Sequence, residues 1–242
     1  MIEIPTNLPK LKGGIGAPGS GEVCAEQAVN WLVSGRLDLG DETDHPSCVQ
    51  PVLNQLAINV NDALPDERRH EMWPIILRQP GTAHPEMEPI LSIRLACFLA
   101  NKVVHLTRKQ DRKACEDAIA SALAYCDNPC KETANAARAA YATAAAYAAN
   151  ATAAAANATN ATYAANAAYC AATNANTAAS AAYAAANAAA YAATANPKDR
   201  WDALLGILND AQDECERLTN HTPPACDLGR LERLGQLVGV VK

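Results

Sequence analysis

The sequence predicts an all-α protein: an N-terminal helical bundle packed with long Ala-rich helices and a C-terminal helical pair. Three observations predict it. Apolar residues in both flanks recur at helical spacing, and no run alternates as a half-buried strand would. Residues 134–196 are built almost wholly from Ala, Asn, Thr and Tyr, 38 of the 63 being Ala, the residue with the highest helix propensity. Neither Gly nor Pro interrupts that tract, and it holds no Leu, Ile, Val, Phe, Met or Trp. A bulky core must therefore come from the flanks.

The 242 residues suffice for one large domain or two small ones. Residues 1–21 read as a flexible, extended leader, 22–126 as a helical domain, 127–197 as the Ala/Asn/Tyr-rich repeat, and 198–242 as helices packing back. Val23, Ala28, Trp31 and Leu32 form one apolar helix face that Gly35 stops. Residues 36–46 are a polar acidic loop. Ser47 caps a second helix carrying Val49, Val52, Leu53, Leu56 and Val60. Pro65 suits the first turn of a third, residues 66–73, because its missing N–H has no intrahelical role there. Pro74 interrupts, and Gln79-Pro80-Gly81-Thr82 turns the chain. The most apolar helix runs from 89 to about 106, an amphipathic one from 109 to 125, and Asp127-Asn128-Pro129 restarts the chain into the tract. After Pro197, residues 201–218 form an amphipathic helix through Leu204, Leu205, Ile207 and Leu208, and a last helix lies near 228–238.

The tract hides a repeat. Tyr125, Tyr147, Tyr169 and Tyr191 stand 22 residues apart, as do Tyr141 and Tyr163. Twenty-two residues make six turns at about 3.67 per turn, a period that keeps one face aligned along a nearly straight helix. A lone Ala rod buries little, so the tract is expected to fold back or to pack on a partner helix, with turns at the Asn- and Thr-rich stretches 157–162 and 173–177. An ice-binding row is a poor fit, since only Thr162 and Thr173 keep an eleven-residue spacing.

Charge and cysteine usage narrow the function classes. A net charge of −6 does not indicate a nucleic-acid-binding surface, and the basic run from Arg108 to Lys113 reads as a solvated helix end. Nine Cys in no disulfide-framework spacing fit a reducing, cytoplasmic setting. No signal-peptide pattern and no bulky apolar run of membrane-spanning length occur. Gly14-x-x-x-x-Gly19-Ser20 has the glycine spacing of a phosphate loop, but Ser20 stands where its Lys belongs and Glu22 follows. Cys24 with Asp44, His45 and Cys48 is the one compact cluster of reactive types. It could hold Zn²⁺ with His70, His84 or a carboxylate, or pair a nucleophile with a base, yet Cys is commonly a small core residue.

Asp44-His45-Pro46-Ser-Cys48-Val-Gln-Pro51-Val52, Asn61-Asp62-Ala63-Leu64-Pro65-Asp66-Glu67-Arg68, Pro74-Ile75-Ile76 and Gly81-Thr82 resemble a family of uncharacterised proteins from actinobacteria and phages. The resemblance covers about residues 20–106. Members commonly open with a Cys-x-x-Glu helix, where this chain has Gln27, and often end in Ala-rich repeats bearing Trp or Tyr. The resemblance implies a phage or mobile-element setting.

These readings converge on a non-enzymatic binding protein, an accessory or anti-defence factor that sequesters a small nucleotide-like signal. Its expected ligand-binding residues are Tyr147, Tyr163, Tyr169 and Asn166 for the base, with Arg68 and Arg69, or the basic run from Arg108, for phosphates. Two alternatives stand: an assembly protein using its Ala-rich helices as a surface, and an enzyme built on Asp44, His45 and Cys48. No cofactor and no metal is implied. The expected partners are the small ligand and further copies of the chain, with neither nucleic acid nor membrane.

Overall fold

The computed structural model describes residues 8–14, 21–34, 47–88, 90–106, 109–137, 139 and 197–220. They are predominantly α-helical, as the patterning requires. Strands β1 (Lys10–Leu11) and β2 (Glu22–Val23) precede helices α1 (Ala25–Ser34), α2 (Pro51–Ala63), α3 (Trp73–Ile76), α4 (Ile90–Val103), α5 (Lys109–Asp127) and α6 (Pro197–Thr219). Single 3₁₀ turns at Arg69–Met72 and Val104–Leu106 lead into α3 and out of α4, and residues 131–137 are helical. No helix among the described residues is long and apolar enough to cross a membrane. The chain divides into two compact units, residues 1–83 with 216–242 and residues 84–215.

In the first unit, Lys10–Leu11 of the span read as leader form a strand. β1 pairs in parallel with β2, Lys10 opposite Glu22 and Leu11 opposite Val23. Lys10 N donates to Gly21 O at 3.0 Å and Lys12 N to Val23 O at 2.9 Å. Val23 therefore belongs to a strand rather than to the helix face assigned to it. A two-residue pair has no periodicity for a sequence to display. Leu11 and Val23 are buried with Ala28, Val29 and Trp31 of α1 and with Val52, Leu53, Leu56 and Val60 of α2.

The cap of α2 is Gln50, not Ser47. Its Oε1 accepts the Val52 and Leu53 amides at 2.7 and 3.0 Å, and Pro51 occupies the first turn, where no intrahelical N–H is needed. Gln50 is itself held in place: its N–H donates to Thr82 Oγ1 at 3.0 Å, and that hydroxyl donates to Gln79 O at 2.7 Å. The amides of Gly81 and Ala83 donate to Cys48 O at 2.9 and 3.1 Å. The expected turn at 79–82 is present, with Gly81 at φ 85°, a left-handed conformation suited to glycine. Residues 66–68 form a turn closed by Arg68 N on Pro65 O at 2.9 Å, in place of the helix expected to start there. Pro74 sits within the first turn of α3 rather than interrupting a helix.

In the second unit α4 is buried nearly all round, through Leu91, Ile93, Leu95, Ala96, Cys97, Leu99 and Ala100, the pattern of a central helix. It packs on α5, whose buried stripe of Cys115, Ala118, Ile119, Ala122 and Cys126 is mostly small. Leu204, Leu208, Ala211 and Cys215 form the buried stripe of α6 at spacings of four, three and four. The helix read over 201–218 is thus present and begins earlier, at Pro197. Past Tyr125, the tyrosine repeat lies outside the described residues, as does the last helix expected near 228–238.

Within the first unit, Arg78 and Glu216 form a forked ion pair. Arg78 Nε meets Glu216 Oε1 at 2.9 Å and Nη2 meets Oε2 at 2.7 Å, with side chains only 20% and 17% exposed. Two parallel charge-assisted bonds in a half-dry setting are stronger than an exposed pair. Arg78→Ala and Glu216→Ala are each expected to lower stability by about 1–3 kcal/mol. A double-mutant cycle read from urea denaturation should return a coupling of about 1–2 kcal/mol; purely additive effects would show that the pair stabilises nothing.

Candidate anion-binding cleft

The end of α2 organises a polar cleft. Asn61, in the last turn of α2 and 1% exposed, points Nδ2 at Lys12 O, 2.7 Å away. Its backbone oxygen accepts Arg69 Nε at 2.8 Å. The last carbonyls of a helix lack intrahelical donors, so a guanidinium there satisfies one and suits the negative end of the helix dipole. Arg69 is 9% exposed, and its Nη1 pairs with Asp66 Oδ1. Gly13 completes the arrangement: a β-carbon there would lie 3.0 Å from Arg69 Nη2 and 3.6 Å from Asp62 Oδ1. Gly14, at φ 71°, donates its N–H to Asp62 Oδ1 at 3.0 Å.

Between these groups is an open cleft of about 170 Å³ lined by Lys10, Lys12, Gly13, Glu22, Asp66 and Arg69. Three cations face two carboxylates. Lys10 Nζ lies 3.5 Å from Glu22 and 3.6 Å from Asp66, and Lys12 Nζ lies 3.4 Å from Glu22. The lysine pairs with this geometry are exposed and screened by solvent, so an entering anion can exchange for Glu22 at small cost, whereas Asp66 is also hydrogen-bonded by Arg69. The hydrogen bond from Arg69, then the charges of Arg69 and Lys10, hold the Asp66 carboxyl below its ordinary range.

Of the residues expected to meet phosphate, Arg69 lies in the cleft and Arg68 does not. Arg68 forks onto Glu71, Nε to Oε1 and Nη2 to Oε2, both at 2.7 Å. Tyr147, Tyr163, Tyr169 and Asn166 lie outside the described residues, as do Asp44, His45 and Arg108. Sequence reasoning missed Lys10, Lys12 and Glu22. The alternation Lys10-Leu11-Lys12, two cations flanking one buried apolar residue, is a fragment of strand pattern that could have flagged them.

The cysteines have structural duties. Cys24 precedes α1, its Sγ accepting the Gln27 amide at 3.4 Å, while Gln27 Oε1 accepts the Cys24 amide at 3.0 Å. This reciprocal exchange is a capping box with sulfur in the hydroxyl's place. Gln performs here the backbone task that a Glu would perform at the same position. Burial, reinforced by the Glu26 charge, pushes the Cys24 thiol up to about 12, far from a reactive thiolate. Burial raises the Cys48 thiol as well. Among the described residues no group of three or more His, Cys, Asp or Glu is placed to hold a metal ion.

Two predictions follow from this geometry. Gln27→Glu should leave thermal stability nearly unchanged, whereas Gln27→Ala should lower it by about 1 kcal/mol; equal losses in calorimetry would show that the side-chain cap does nothing. Because the Asp66 carboxyl is lowered in the folded state, its ion pairing is fully present above the ordinary carboxylate pKa, about 4, and is lost as pH falls through the lower folded value. A carbon-detected NMR titration should place its midpoint below that of an exposed aspartate. Comparison with protein-family models, curated proteins and solved structures finds no match for the chain.

Proposed function

We propose that the chain is a non-enzymatic binding protein whose ligand, of the small nucleotide-like class, presents a phosphate group to the cleft between Lys10, Lys12 and Arg69. One observation carries the reading: three cationic side chains converge on a concave surface beside Gly13, in a chain whose net charge is −6. Lys supplies flexible point charges and Arg a planar fork, the combination suited to phosphate oxygens. The near-balanced carboxylates Glu22 and Asp66 hold these cations in register without a ligand. The non-enzymatic half of the reading is supported by Cys24, whose sulfur accepts the Gln27 amide and whose thiol pKa is raised by burial. The phage or mobile-element setting, and a role as an anti-defence factor removing a signal, extend the same proposal from the family resemblance.

Titration calorimetry with adenosine diphosphate as probe tests the reading. Lys12→Ala is expected to weaken binding about tenfold, the loss of one charge-assisted hydrogen bond, and Arg69→Ala at least as much. Arg68→Ala should leave affinity within twofold, since that guanidinium is committed to Glu71. Absence of heat from wild-type protein at millimolar probe, or equal losses for Arg68→Ala and Lys12→Ala, would exclude the cleft as a phosphate site.

A further inference from the structure

We propose that Asp66 is the internal occupant of the cleft's anion position and makes the cleft select a dianionic phosphate monoester over singly charged anions, an assignment that rests on the phosphate reading of the cleft. The Arg69 guanidinium cannot follow a ligand. Its Nε is anchored on Asn61 O at 2.8 Å and its Nη2 lies against Gly13. The remaining edge, Nη1, meets Asp66. Asp66 differs from Arg69 in exposure: it stands on the 66–68 turn, and its side chain is 64% exposed against 11% for that of Arg69. A carboxylate displaced from Arg69 regains its hydration while the entering anion takes over the pair with the guanidinium, whereas moving the buried guanidinium would strand a charge.

An entering anion therefore takes the place of Asp66 against Arg69 Nη1 and Lys10 Nζ. A singly charged anion replaces like with like and still loses translational freedom on binding. It also meets the fields of Glu22 and the displaced Asp66, with the Gly14 amide already taken by Asp62. A phosphate monoester carries close to two charges near neutral pH, so it gains a further charge against Lys10, Lys12 and Arg69. The carboxylate that keeps the cleft closed is thus also the residue that sets how much charge a ligand must bring.

The test compares methyl phosphate with dimethyl phosphate at pH 8, followed through the backbone amide signals of Gly13 and Gly14 in the full chain. Wild-type protein should bind methyl phosphate and bind dimethyl phosphate at least tenfold more weakly. Asp66→Asn should tighten methyl phosphate by at least roughly fivefold, and tighten dimethyl phosphate less. Asp66→Ala, which removes the same carboxylate without offering an amide, should show the same order and guards against a fold defect peculiar to one variant. Binding by wild type with unchanged or weaker binding by both variants overturns the role of Asp66 and leaves the phosphate reading standing. Equal affinity of wild type for the two esters overturns the selectivity. Binding by the variants alone supports Asp66 as the occupant, and no binding by any of the three proteins removes both readings together.

Discussion

A buried guanidinium must be paired and hydrogen-bonded, and much of the first unit around the cleft is arranged around meeting that demand at Arg69. The acceptor is an α2 carbonyl that has no donor of its own, so one contact satisfies two needs. The same residue, Asn61, reaches with its side chain amide to Lys12 O. Lys12 N in turn bonds Val23 O across the two-residue sheet. A single residue at the end of α2 therefore positions both the arginine and the strand whose lysines flank it. Gly13 is required for the same reason, because any β-carbon would press on the guanidinium.

Polar residues at the ends of α2 and in the turn at 79–82 do this kind of work. Gln50 and Pro51 begin α2, and Thr82 and Gly81 hold the residues that precede it. Asn61, Asp62 and Asp66 each bond the leader or Arg69. Such residues look chemically active in a sequence because capping and catalysis call on the same polar groups. Cys24 shows the difference. A thiol at a helix N-terminus is often acidified, yet here burial and Glu26 outweigh the helix and the sulfur serves as an acceptor.

What the sequence made legible follows from period. α4, α5 and α6 bury long helical stripes, and each was readable from apolar spacing to within a few residues. Short elements were not. β1 and β2 are too brief to alternate, and their pairing depends on Asn61, nearly fifty residues on from Lys12. Ser47 was a reasonable cap by residue type, but the helix starts three residues later, where Gln50, its backbone held by Thr82, accepts the Val52 and Leu53 amides. In the cleft, Arg69 alone was singled out from the sequence. Its partners Lys10, Lys12 and Glu22 were not, because a cleft assembled from three chain segments leaves no spacing rule in any one of them.

Residue type alone also fails to separate tightly held ion pairs from loosely held ones, and burial does separate them. Arg78 and Glu216 make two short bonds with little water around either side chain, so exchange with a solute anion would strand a charge. Lys10, Lys12, Glu22 and Asp66 touch through single contacts of 3.4–3.6 Å, with the lysines about half exposed. Salt and water screen these pairs over roughly 8 Å, which makes each weak and lets the group be re-formed around another anion. The field that an anion meets in the cleft is therefore set by the three cations and two carboxylates that line it.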